Sequence, residues 1–338
     1  MRSPLPRRTN VALLVALAIA FATGIGAVAA GTPSGRWVVL THGGAAFAVA
    51  LLSPWKSRII RRGLKRGRHG RWASLLLAAF ISVTLLTGIA YASGLVLSIG
   101  GLPGMWVHIA TALAAIPFII WHVAVRPARP RVTDLSRRAL LRTGALGATA
   151  AGLYIATNSA VRVAGLPGAN RRFTGSHEMG SFDPDSMPNT TWLNDRRPVV
   201  DAETWSLGVV DSEGAYEVGL DDLLGDQTVL RATLDCTSGW YATQDWTGIS
   251  VTDLLGKVGA ARSLRVKSLT GYWLRFPVGD LRDLFLATGT VGAPLSAGHG
   301  YPLRLVAPGR RGFWWVKWVD RIELQDTPAW WQPPFPVT

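Results

Sequence analysis

Cysteine is almost absent from this sequence: Cys236 is the only one in 338 residues. An internal disulfide framework is therefore excluded. Acidic residues are missing from half of the chain. Residues 1–159 contain one, Asp134, against eighteen Lys and Arg, whereas residues 160–338 contain twenty against seventeen. The net charge of +14 thus belongs to the first half. A sequence this basic raises nucleic acid as a partner, but its cations stand between long apolar runs, which speaks for a membrane and against nucleic acid. Internal repeats, low-complexity tracts and Gly-rich phosphate loops are also lacking.

What the first half does have is five apolar segments, near 11–30, 37–54, 73–98, 105–125 and 140–159. Each is close to the roughly 20 residues that a bilayer-spanning helix needs. Backbone groups in lipid must be satisfied within the segment, so these are expected to be helices. The connections alternate in charge. KSRIIRRGLKRGRHGR carries eight Lys and Arg and residues 126–142 carry six, while 31–36 has one and 98–104 none. Positive-inside bias then puts the N-terminus in the cytoplasm and everything after residue 159 outside the cell membrane. Trp37, Trp55, Trp72, Trp106 and Trp121 lie near the segment ends, as an aromatic belt would. Residues 136–142, from Ser136-Arg137-Arg138 through Leu140-Leu141, look like a twin-arginine export signal ahead of a mildly apolar fifth helix. A plain positive-inside flank is the alternative.

Ligating residues within a span are functional candidates. His108 and His122 are fourteen residues apart, near one helix face and about 21 Å apart along it. His42, near the outer end of the second helix, matches His108 in depth and precedes Gly43-Gly44, which would admit a flat macrocycle. Ligation of a b-type haem by His42 and His108 is one expectation. A second haem at His122 with His69, in the basic loop, is a weaker one; histidines that merely bond neighbouring helices are the alternative. In outline this arrangement resembles membrane cytochrome b subunits, without a motif that fixes the likeness.

The second half reads as an exported α+β domain. A segment rich in Gly, Pro, Asn and Asp, 160–184, serves as linker. Strand-like runs follow near 204–210, 228–235, 264–276, 303–307 and 313–324, with helical patterns at VTDLLGKVG and DLRDLFLATG between them. Strands and helices do not alternate strictly enough for a doubly wound sheet. Cys236 stands at the exit of the 228–235 strand, in a loop rich in aromatics. A lone cysteine is commonly a small buried hydrophobe; at this place it is also a candidate ligand or nucleophile.

Four pieces occur in order: Cys236-x-x-Gly239-Trp240; Trp246-x-Gly248 with Leu254-Leu255; His299-Gly-Tyr-Pro-Leu-Arg304; and Val316-Lys317-Trp318 with Ile322. Together they resemble the sulfite oxidase family of molybdopterin enzymes over residues 185–326, leaving 327–338 as a tail. The resemblance implies a molybdenum–molybdopterin cofactor with Cys236 as the protein ligand to molybdenum, a role that suits a soft thiolate. It also implies cofactor contacts from His299, Arg304, Trp315, Val316 and Lys317, with Thr270 and Asn189 as further matches.

The sequence departs from the family where sulfite would bind. Thr237-Ser238-Gly239-Trp240 follows the cysteine in place of an arginine-rich segment. This form is more similar to the bacterial reductase branch, including peptide-methionine sulfoxide reductases. The expected protein has an all-α transmembrane domain, 1–159, followed by a sulfite-oxidase-like α+β catalytic domain facing outward. It would transfer oxygen atoms and electron pairs with a small-molecule or peptidyl substrate, and exchange electrons with quinone or a redox partner protein. Oxidation of sulfite or another small sulfur species, a cofactor-less binding module on an anchor, and a catalytic domain whose helices are only an anchor are the alternatives.

Overall fold

In the computed structural model of the chain, residues 5–64, 71–127, 136–192 and 195–334 are described. The chain divides into two compact units, residues 1–177 and 178–338.

The first unit contains long helices α1 (Leu5–Ala29), α2 (Arg36–Leu64), α3 (Arg71–Ser93), α4 (Gly104–Val125) and α5 (Arg137–Val163). Five stretches of these helices are long and apolar enough to cross a membrane: Arg7–Ala29, Pro33–Arg61, Trp72–Ser93, Gly104–Val125 and Arg137–Val163. The expected segments fall on all of them. α1 packs on α2, α3 on α4 and α5 on α2. A small-residue seam of Leu13, Ala16, Ala48, Val49 and Ala150 joins α1, α2 and α5, as helix contacts in lipid favour. Large apolar side chains point outward instead, with Leu86 67% and Ile120 64% exposed. Hydroxyl groups bond within their own helix, Thr23 to the Ile19 carbonyl, Ser53 to Val49 and Thr84 to Phe80. Polar groups are thereby satisfied without water. Ser136 caps α5 by accepting from the Ala139 N–H at 3.4 Å, so the serine before the arginine pair also has a structural task.

The second unit holds two sheets. One contains β1 (Ser206–Val210), β2 (Ala215–Gly219), β5 (Ser263–Ser268), β6 (Trp273–Pro277) and β10 (Val319–Gln325), in the order β2-β1-β10-β5-β6. The β1–β10 pair is parallel and the others antiparallel. The second sheet contains β3 (Thr228–Asp235), β4 (Trp240–Ser250), β7 (Phe285–Thr290), β8 (Ala293–Pro294) and β9 (Arg304–Val306). There β4 pairs with β3 and β7, and β7 with β8 and β9, all antiparallel. β4 alternates strictly: Trp240, Ala242, Gln244, Trp246 and Gly248 are buried, and the residues between them are less so. Gly248 is required, because a Cβ there would lie 2.0 Å from the Leu286 carbonyl oxygen on β7.

Three features differ from the sequence reading. DLRDLFLATG was expected to be helical; it is a 3-10 turn, Val278–Asp283, followed by strand β7. Every residue of β7 is buried, and a short run buried on both faces has no period-2 signature to separate it from a buried helix. VTDLLGKVG contains only a four-residue helix, Val251–Leu254. β4 lies in what read as an aromatic loop. Residues beyond 326 also continue the unit: Gln332 accepts from the Arg275 N–H at 2.9 Å and donates to the Arg275 carbonyl at 3.0 Å. That covers part of the β6 edge, which would otherwise offer unpaired backbone groups.

Candidate functional site

Cys236 heads the tight connection between β3 and β4. Its N–H donates to the Trp240 carbonyl at 2.8 Å, and the Gly239 N–H donates to its carbonyl at 3.1 Å. Gly239 takes φ +102, a left-handed conformation suited to glycine. The thiol is 8% exposed and lies 3.1 Å from the Ser238 hydroxyl. Beneath it, Arg311 reaches across from a distant loop. Its guanidinium donates to Asp235 Oδ1 at 2.7 Å and to the Cys236 carbonyl at 3.0 Å, with both side chains only 3–4% exposed. Gly312 completes the seat, since a Cβ there would come within 3.0 Å of Cys236 Cα.

A cationic wall stands near the thiol. Arg304, at the start of β9, is 2% exposed. Its guanidinium donates to the His299 carbonyl at 3.0 Å and lies 5.2 Å and 5.7 Å from the ring centres of Trp246 and Trp315. Its buried Nε has no hydrogen-bond partner. Burial pushes the Arg304 pKa down to about 10, against the pull of the Cys236 sulfur. Lys317 Nζ donates to Asn189 Oδ1, the Thr190 carbonyl and the Gly298 carbonyl at 3.1, 3.0 and 2.6 Å. Burial, and then the Arg304 charge, lower its pKa to about 7, while Cys236 and Asp195 act in the other direction. His299 is held by the Ser296 hydroxyl at Nδ1, 2.9 Å, and by the Met187 carbonyl at Nε2, 3.1 Å. These partners assign a neutral ring with its proton on Nε2. Burial, then the charges of Arg304 and Lys317, lower its pKa to about 4.

Of the residues expected from sequence, Cys236, Arg304, Lys317, His299 and Asn189 are linked directly by these bonds and charges. Thr270 joins through Asp195, which accepts its hydrogen bond and interacts with Lys317. Trp315 and Val316 are buried alongside; the Val316 carbonyl accepts from Leu305 N–H at 2.8 Å. Trp246 is core, 0% exposed, with Nε1 bonded to the Ala232 carbonyl. Sequence reasoning missed Asp235, Arg311, Asp195 and Ser296. Asp235 adjoins the cysteine, but nothing local pairs it with an arginine 76 positions away.

Residues 194–331 match the family model described as oxidoreductase molybdopterin binding domain. Among similar curated proteins are a nitrate reductase [NADPH] of Mycosarcoma maydis, 41% identical over 68 residues, and the mitochondrial sulfite oxidase of Macaca fascicularis, 27% identical over 165. The first match covers 20% of this chain and 7% of the relative; the second covers 38% and 30%. The chain therefore spans less than a third of either relative. The sulfane dehydrogenase SoxCD of Paracoccus pantotrophus, a solved structure, aligns with 39% of this chain and 40% of its own at 25% identity, with a TM-score of 0.37. The second unit carries a molybdopterin-dependent oxidoreductase domain. The residues present fit such a group. A buried guanidinium whose Nε lacks a partner, beside the Lys317 charge, suits an anion such as a cofactor phosphate, and a thiol stands beside them to meet a sulfur-bound metal.

The helical unit has its own cluster. The rings of His42 on α2 and His108 on α4 are 6.1 Å apart, centre to centre, with planes at 88°. Each Nδ1 is bonded to a backbone carbonyl, His42 to Ala20 at 2.8 Å and His108 to Thr84 at 2.9 Å. Each Nδ1 is thus fixed, as the second nitrogen of a metal-binding histidine is. The glycines beside the rings are Gly24 and Gly88, where a Cβ would come 3.1 and 3.0 Å from the imidazole Cε1 atoms. Gly43, expected to admit a macrocycle, instead takes the Tyr154 ring of α5 at 2.2 Å from its would-be Cβ. His122 lies 3.3 Å from the Ser74 hydroxyl, and His69 is outside the described residues. Among the described residues, no group of three or more His, Cys, Asp and Glu is assembled.

Proposed function

We propose that this protein is a membrane-anchored, outward-facing molybdopterin oxidoreductase that draws electrons from quinol through a haem in its helices. The observation that carries the reading is the Cys236 thiol set against Arg304 and Lys317 in a domain of molybdopterin type. When bound, the cofactor supplies two-electron oxygen-atom transfer at molybdenum. Cys236 would hold the metal, seated by the Arg311–Asp235 pair. Arg304 and Lys317 would neutralise the cofactor's anionic groups, and neutral His299 would orient rather than add charge. Trp315 and Val316 would close the pocket against water, with Asn189 and Thr270 fixing Lys317 and Asp195 at its rim.

The neutral stretch Thr237 to Trp240 favours an uncharged, sulfoxide-type oxygen donor over an anion such as sulfite. Likeness to sulfite oxidases supports a second reading, oxidation of sulfite or another small sulfur species. His42 and His108 would hold a b-type haem, which would supply one-electron transfer. The helical unit would then act as a cytochrome b does. Charge alternation between the spans supports an outward-facing second unit, and Ser136-Arg137-Arg138 would serve its export after folding. Detergent-purified protein assayed with peptidyl methionine sulfoxide and with sulfite separates the two readings. Turnover of sulfite alone would overturn the first, and a reduced-minus-oxidised spectrum without b-type bands would remove the haem.

A further inference from the structure

The His42–His108 pair has a counterpart at the other end of the helix bundle. Gly24, His42, Gly88 and His108 form the first level, one from each of α1 to α4. Fourteen positions away on the same helices stand Asn10, Lys56, Ser74 and His122: 24 to 10, 42 to 56, 88 to 74, and 108 to 122. Fourteen residues are close to four turns, so each counterpart keeps its helix face about 21 Å along the axis. The structure gathers these four as well. Lys56 Nζ donates to Asn10 Oδ1 at 2.9 Å, joining α2 to α1. Ser74 Oγ lies 3.3 Å from His122 Nδ1, joining α3 to α4. Arg126, just past α4, donates to the same Ser74 oxygen at 3.1 Å. Lys56 and Arg126 both lie within electrostatic reach of His122, and of each other.

The chemistry of the two levels differs. Side chains fill the places of both glycines, and an ammonium faces the imidazole where a second imidazole would complete a haem site. We propose that this level binds the head group of a membrane quinol, an assignment that rests on the function proposed above and locates its electron donor. Such a ring carries two oxygens that donate as hydroxyls and accept as carbonyls. Lys56, Arg126 and the imidazole offer donors, while Asn10 Oδ1 and Ser74 Oγ offer acceptors. A phosphodiester head group would bring no donor to these acceptors.

The test uses the full chain in lipid nanodiscs, irradiated with an azido-quinone, with labelled peptides located by mass spectrometry. Saturable labelling is expected on the peptides carrying Lys56 and His122. Lys56→Gln and His122→Gln should weaken it about tenfold or more, the loss of a charge-assisted or buried hydrogen bond, and Lys56→Arg should largely restore it. Haem content, read from absorbance on the same samples, should be unchanged in these variants. Labelling confined to other peptides, equal labelling in the variants, or displacement by inorganic phosphate or phosphatidylglycerol would overturn the proposal. So would two haems per chain, one of them lost in His122→Gln. A wild-type chain without haem but labelled at Lys56 and His122 would refute the haem relay and leave the quinol site standing.

Discussion

His108 and Cys236 are the proposed ligand side chains, both held by backbone groups, yet the two units position them by different means. In the helical unit, periodicity alone sets the level. Positions 24, 42, 88 and 108 meet because each lies at the same height on its helix, and each imidazole has one backbone carbonyl, Ala20 or Thr84, to fix it. In the sheet unit, the thiol is seated by a hairpin turn and by Arg311 from a loop 75 positions away. One design is local and regular; the other depends on long-range closure. The first tolerates change outside its four positions, whereas the second transmits damage from residues that never touch the cofactor.

The largest effects should separate the two sites. Cys236→Ser should reduce turnover by more than about 100-fold, since even the outer partners of metal ligands are worth about 10–100-fold. Its b-type absorbance and membrane location should be unchanged. His108→Ala should remove that absorbance while molybdenum content persists. Loss of both signals in either variant would break the comparison, because the sites would then not be independent.

Breaking the buried pair comes next. Asp235→Ala leaves the Arg311 charge buried and should cost about 3–5 kcal/mol of stability, read as a lowered denaturation midpoint. The control lies on the same hairpin: Arg231 also bonds an aspartate, Asp245, at 2.7 Å, but its side chain is 66% exposed. Arg231→Ala should leave the midpoint unchanged within error. Equal effects would mean that burial is not what separates the pairs.

A smaller effect concerns pH. The His299 ring, with a pKa of about 4 when folded against 6.5 ordinarily, takes up a proton more readily when the chain unfolds. Between those two values the unfolded state binds more protons, so stability rises with pH and is lost on acidification. In the cofactor-free protein the loss from pH 6.5 to 4 should be about 2–3 kcal/mol, and His299→Gln should flatten that slope in denaturant titrations.

The helical half was legible because runs of some twenty apolar residues with charge at their ends are a coarse signal of long helices. The strand at 228–235 was legible from the alternation in its sequence, and that at 206–210 as a short apolar run. β7 was not, since FLATGT is buried on both faces and carries no alternation to read. At the site, Cys236, His299, Arg304 and Lys317 could be named because an ordered set of short motifs carries them. Asp235 with Arg311, and Asp195 with Lys317, could not, since they meet only through the closure of distant loops. The fourteen-residue correspondence between the two helical levels was in the sequence throughout, but only the observed pairings of Lys56 with Asn10 and of Ser74 with His122 give it a physical meaning.

Elemental analysis of the detergent-purified full chain tests the account most directly. One molybdenum and one iron per chain is the expected result. Molybdenum without iron would reduce the helices to a plain anchor, and neither metal would contradict the catalytic assignment itself.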